Sequence, residues 1–127
     1  MSEISDSNVI SALRRQMTIA VARQVASAGN LANVDTPGYK AKEVTFADTL
    51  RGKLTPANST FGAKGSTSVD PVIGLKDADG PERRDGNTVQ LDRELLTMSR
   101  AAGDFAAAQT ALAAKFRLVR YAINEAR

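Results

Sequence analysis

Leu91, Leu95, Met98, Ala102, Phe105, Gln109, Leu112, Phe116, Val119 and Ile123 follow one another in alternating steps of four and three. This 33-residue seam constrains the fold more than any other feature of the chain. Heptad spacing holds one helical face toward a partner helix, so the pattern predicts a single helix from Asp92 to Glu125. At 1.5 Å per residue such a helix spans about 50 Å, too long for a compact domain of 127 residues. Asp92 is the expected N-cap, flanked by Leu91 and Leu96 as a hydrophobic staple.

A second seam lies at the other end. Ile10, Leu13, Met17, Ala20, Gln24, Ser27 and Leu31 repeat the same steps, and Val21, Val25 and Ala28 widen the stripe. The helix that carries it should start near Ser5 to Ser7 and end around Asn33. Each seam holds one glutamine, Gln24 and Gln109. An antiparallel register that pairs them sets Ile10 beside Ile123, Met17 beside Phe116, and Leu31 beside Ala102. A buried polar pair of this kind fixes register at some cost in stability. Alternatively, both glutamines face solvent, or the seams bind other subunits.

Composition agrees with thin packing. Four Phe, two Tyr and no Trp leave few large side chains, whereas alanine lets helices approach closely. The expected fold is mainly α: long terminal helices packed as an antiparallel coiled-coil-like hairpin, with an extended, partly irregular or short-β middle. One structural unit is expected, divided as helix 1–34, turn with short strand or helix 35–54, Gly/Pro-rich loops 55–90, and helix 91–127. In the middle, Lys42 to Phe46 alternates as a strand would, and Phe46 to Leu54 sets three apolar residues on one helical face. Val69, Val72 and Ile73 form the other apolar cluster. Asp79-Gly80 and Asp85-Gly86 read as turns.

The chemistry available is narrow. With no cysteine there are no disulfides or thiolate metal sites, and with no histidine the commonest general base and metal ligand is missing. Asp77-Ala78-Asp79-Gly80 is shorter than an EF-hand loop and lacks its closing glutamate. No catalytic residue, metal or cofactor is expected. The net charge of +3 comes without a nucleic-acid recognition motif, so Arg14, Arg15, Arg23, Lys115, Arg117 and Arg120 read as solvated helix faces or as contacts to acidic neighbours. No apolar run reaches the roughly 18 residues of a membrane span, and the first residues lack the pattern of a cleaved secretory signal.

The junction after the first helix is Asn30-Leu31-Ala32-Asn33-Val34-Asp35-Thr36-Pro37-Gly38-Tyr39. Asn33 and Asp35 suit capping. Pro37 pushes Thr36 out of the helical region, and Gly38 admits positive φ. The segment should end the helix in an ordered turn that presents Tyr39, either packed across the helix end or held against another subunit. Preceded by Ala28-Gly29, it resembles the ANN-(I/L)-AN-x-x-TPGY signature of bacterial flagellar axial proteins, with Gly29 where the signature has Asn. Asp85-Gly86-Asn87-Thr88-Val89-Gln90-Leu91-Asp92-Arg93-Glu94 resembles the run before the last helix in the FlgB family of basal-body rod proteins. Ala113-Ala114-Lys115-Phe116-Arg117-Leu118-Val119-Arg120-Tyr121-Ala122-Ile123 is similar to the ending of that family.

The resemblance implies a proximal rod subunit, assembling helically with its terminal helices lining the inner rod. Implied partners are further copies, other rod proteins (FlgC, FlgF, FlgG-like), the adaptor FliE, the MS-ring protein and the flagellar type III export apparatus. Export without a cleaved signal and transmission of torque from MS ring to hook are likewise implied. Two alternatives are an FlgC-like axial protein and, outside the family, a basic helical adaptor or nucleic-acid-binding module. A cell-wall hydrolase would need an acid/base pair that the chain does not offer.

Overall fold

The computed structural model describes residues 6–45 and 73–125. Two long helices pack against each other, and a short two-stranded antiparallel sheet lies between them in the sequence. Helix α1 runs Asp6–Ala32 and helix α2 runs Leu91–Glu125, with strands β1 (Lys42–Thr45) and β2 (Gly74–Asp77) between. β1 and β2 pair with Lys42 opposite Asp77 and Thr45 opposite Gly74. The suggested helix from Phe46 to Leu54 and the apolar residues Val69 and Val72 lie outside the described residues.

The helices run antiparallel because the chain turns back at the end of α1 and enters α2 beside it. Their interface is built from small residues: Ala20 and Ser27 on α1, Ala101 and Ala108 on α2, all buried. Small side chains at a crossing let axes approach toward the lower end of the usual 8–10 Å range. The rest of the core is Ala41, Val44 and Val89, where β1 and the run into α2 close over the helix ends. Val89 is the largest apolar side chain fully buried, and its burial contributes about 1.5–3 kcal/mol.

The seam residues of α1 are all protected. Ile10, Leu13, Met17, Gln24 and Leu31 are half-buried around Ala20 and Ser27. On α2 the protected stripe is Glu94, Thr97, Met98, Ala101, Asp104, Phe105, Ala108 and Leu112. Met98, Phe105 and Leu112 thus meet α1, but Leu95, Gln109, Phe116, Val119 and Ile123 are exposed. Alanines explain the rotation. Ala101 and Ala108, one position before Ala102 and Gln109, give the closest approach, and the larger residues fall to one flank.

The glutamine pairing is corrected by the same facts. Gln109 is exposed, and Arg23 pairs with Asp104 at 3.7 Å. Matching Gln24 with Gln109 would set Arg23 level with residue 110, about 9 Å further along α2. The start of α2 also differs: Glu94 N–H donates to Gln90 C=O at 3.0 Å, making Gln90 rather than Asp92 the capping position. Asp92 instead sits in the first turn, where its charge favours the helix dipole. Leu91 and Leu96 are about half exposed and form no staple.

Candidate functional site

The signature segment and the run before α2 meet at the shared end of the hairpin. Residues 33–38 turn and residues 84–86 turn opposite them. Gly38 has φ 72° and Gly86 has φ 81°, values that a side chain disfavours. A Cβ on Gly86 would lie 3.3 Å from Gly38 Cα, so two main chains touch here. Gly38 N–H donates to Asp85 C=O at 2.8 Å, and Thr88 N–H donates to Tyr39 C=O at 3.1 Å. Asp79-Gly80, the other expected turn, has no turn assigned.

Asn87 closes the end of α1. It is fully buried, and its Nδ2 donates to Asn33 C=O at 2.9 Å, Val34 C=O at 3.1 Å and Thr36 C=O at 2.8 Å. These carbonyls belong to the turn that follows α1, and those of Asn33 and Thr36 also accept from the N–H groups of Thr36 and Tyr39. Two hydrogens serve three acceptors, so one is shared. Its Oδ1 accepts from Val89 N–H at 2.7 Å, and its own N–H donates to the Asp85 carboxylate at 3.1 Å. The Arg83 guanidinium adds a bond to Val34 C=O at 3.3 Å.

Asn30, 1% exposed, does the matching work toward β1. Its Nδ2 donates to Lys42 C=O at 2.9 Å and its Oδ1 accepts from Lys42 N–H at 2.8 Å. The amide thereby imitates a neighbouring strand for a residue that pairs with β2 on its other edge. Tyr39 is half-buried, and its hydroxyl donates to the same Oδ1 at 3.4 Å. Asn33 folds back, donating to Gly29 C=O at 2.9 Å and accepting from the Thr36 hydroxyl at 3.2 Å. Asp35, Thr36, Pro37 and Gly38 are exposed.

Ion pairs tie down the rim. Lys40 meets Glu82 at 2.9 Å, Arg93 meets Glu43 at 3.8 Å, and Lys42 bonds Asp77 across the strand pair. The Asp77 carboxylate holds the Lys42 ammonium above its usual pKa. That pairing is therefore complete at neutral pH and its lysine charge is lost as pH rises past the raised value.

Asn87 is the residue that sequence reasoning missed as a site. Its signal was present, because an asparagine after Asp-Gly carries both donor and acceptor on a short stem. Its three acceptors lie more than fifty residues earlier in the chain, beyond the reach of any local pattern.

The fold is a mainly helical hairpin whose buried Asn30 and Asn87 hold main-chain groups on either side of the turn. The chain is 31% identical over 93 residues to the flagellar basal body rod protein FlgB of Salmonella typhimurium. It is 34% identical over 91 residues to FlgB of Escherichia coli; both matches cover 61% of this chain and 65% of the relative. FlgB of Bacillus subtilis is 27% identical over 97 residues, covering 73% of this chain and 75% of that protein. The chain thus spans just under two thirds of the first two relatives, and no family model matches it. All of these relatives are flagellar basal body rod proteins named FlgB, and the chain is similar to them.

Proposed function

We propose that the chain is a structural subunit of the proximal rod of the bacterial flagellar basal body, and not an enzyme. The observation that carries this reading is its likeness to FlgB proteins of both Salmonella and Bacillus. It assembles helically with further copies and with FlgC-, FlgF- and FlgG-like rod proteins, near FliE and the MS-ring protein. It reaches the periplasmic rod through the flagellar type III export apparatus and transmits torque toward the hook. Among the described residues no helix is long and apolar enough to cross a membrane.

The clasp that Asn30 and Asn87 form between the end of α1 and the run into α2 supplies the mechanics of this reading. Torque passing between subunits loads the joint between α1 and α2, and there Asn30, Asn33, Asp35, Thr36, Pro37, Gly38 and Tyr39 act as one braced turn. The seam residues Ile10, Leu13, Met17, Gln24, Leu31, Leu95, Met98, Phe105, Gln109, Leu112, Phe116, Val119 and Ile123 divide between the hairpin's own interface and contacts with neighbours.

The test is complementation of a strain that lacks the gene. The unaltered chain should restore swimming and rods visible in purified basal bodies. Pro37→Ala and Gly38→Val should be made in normal amounts yet yield fewer rods. A strain without the chain that still builds rods and swims normally would overturn the reading.

A further inference from the structure

The end of the hairpin far from the clasp is electrically one-sided. Residues 8–22 of α1 and 105–124 of α2 hold no acidic residue, and they include Arg14, Arg15, Lys115, Arg117 and Arg120. The Arg23–Asp104 pair joins residue numbers that sum to 127. Carried along the antiparallel helices, that sum sets Arg14 and Arg15 level with residues 112 and 113, beside the cations of α2. Like charges gathered within about two helical turns raise the positive potential and draw anions from solution.

In this region a hollow of about 350 Å³ opens on α2, lined by Arg117, Arg120, Tyr121 and Asn124. At 100° per residue these four lie about 120–180° around the helix from Ala108, so the hollow faces away from α1. Every lining side chain carries a hydrogen-bond donor and none carries negative charge. All four are exposed, and neither arginine forms an ion pair among the described residues. Glu125, the nearest acid along the helix, does not line the hollow.

We propose that this hollow binds the phosphate of a phosphomonoester. Two arginines repel a cation, and donors from four side chains around one space select an anion. The number of acceptors then decides between anions. Arg117 and Arg120 are three residues apart, which makes them neighbours on the helix surface. One bidentate guanidinium occupies both oxygens of a carboxylate, leaving the second arginine without a comparable partner. A phosphomonoester presents three strong acceptor oxygens and nearly two charges at neutral pH, enough for both arginines with Asn124 or Tyr121 beside them. The hollow falls at the lower end of the roughly 300–1,000 Å³ of small-molecule sites, so the group that carries the phosphate has room against the Tyr121 ring. A nucleic-acid backbone fits less well, because it has one charge per phosphate and is held by basic residues along a track. These residues occupy two turns of one helix.

A soluble phosphorylated metabolite and a phosphatidic acid headgroup carry the same chemical group, and the test separates them. The purified full chain is titrated with glycerol phosphate at constant ionic strength, and the arginine Nε–H and asparagine amide signals are followed by NMR. Saturable shifts are expected at Arg117, Arg120 and Asn124, with acetate binding at least tenfold more weakly. Arg117→Gln combined with Arg120→Gln should weaken binding at least tenfold at unchanged helicity by circular dichroism. Arg14→Gln should change it less than twofold. Flotation then uses phosphatidylcholine vesicles with and without phosphatidic acid. Capture only by the phosphatidic acid vesicles, lost in the double variant, assigns the headgroup, and no capture assigns a soluble phosphomonoester. Shifts that fail to saturate, acetate binding as tightly, equal weakening by Arg14→Gln, or capture by phosphatidylcholine alone would overturn the proposal. Rod assembly enters none of these readouts and is judged by the complementation assay alone.

Discussion

Asn87 carries more of the clasp than any other side chain. Replacing it with alanine leaves the buried Val89 N–H without its acceptor and takes one donor each from the carbonyls of Asn33, Val34 and Thr36, which keep bonds from Thr36 N–H, Arg83 and Tyr39 N–H. Leaving buried polar groups unsatisfied costs about 1–3 kcal/mol each before relaxation and water entry. Asn87→Ala should therefore lower stability by about 3 kcal/mol in urea denaturation. A loss below about 1 kcal/mol would mean that water replaces the amide fully. Asn87→Asp keeps the acceptor for Val89 but points a carboxylate at three carbonyl oxygens, so it should be no better than alanine.

The glycines separate by geometry. Gly86→Ala meets both a positive φ and the Gly38 backbone at 3.3 Å, whereas Gly38→Ala meets only the strained φ, with open space around its Cβ. An αL alanine costs about 1–2 kcal/mol, so Gly86→Ala should cost more than Gly38→Ala when the two are compared by thermal melting. Equal losses would show that the backbone contact relaxes freely.

At the scale of elements, helical periodicity and the Pro-Gly turn were legible because both are local. Residues three and four apart share a helical face whatever the rest of the chain does, and Pro37 and Gly38 restrict their own dihedrals. The antiparallel hairpin followed from the two seams. The register did not, because Gln24 and Gln109 were weighed as a polar layer while alanines set the closest approach. Hydrophobic pattern alone cannot rank Ala101 against Ala102. The clasp was legible on its α1 side and obscure on its α2 side, where Asn87 acts across the fold.

Gly29 and Gly103 are both helical, and a Cβ at either would have nothing within 4 Å. Gly29→Ala and Gly103→Ala should each stabilise the chain by about 0.5–1 kcal/mol, read as a raised melting temperature. A loss at Gly29 would show that the helix end needs local freedom there.

For the whole molecule, the thin interface matters most. Among the described residues the hairpin has one layer of small residues and no third layer over its apolar flank, so part of its driving force for burial is left for association. Val25→Asp lies on that open flank and touches none of the clasp. It should change the stability of the monomer by less than about 0.5 kcal/mol and yet reduce swimming in the complemented strain. Normal swimming with this substitution would remove the flank from any role in assembly.

The meeting of Gly38 with Gly86 has a mechanical consequence. Where two peptide backbones press together with only hydrogen atoms between them, no rotamer is available to swing aside and absorb a load. A push along one helix is handed across at once to the other, bypassing the 47 residues that intervene in the sequence. The corner is stiff because it is bare.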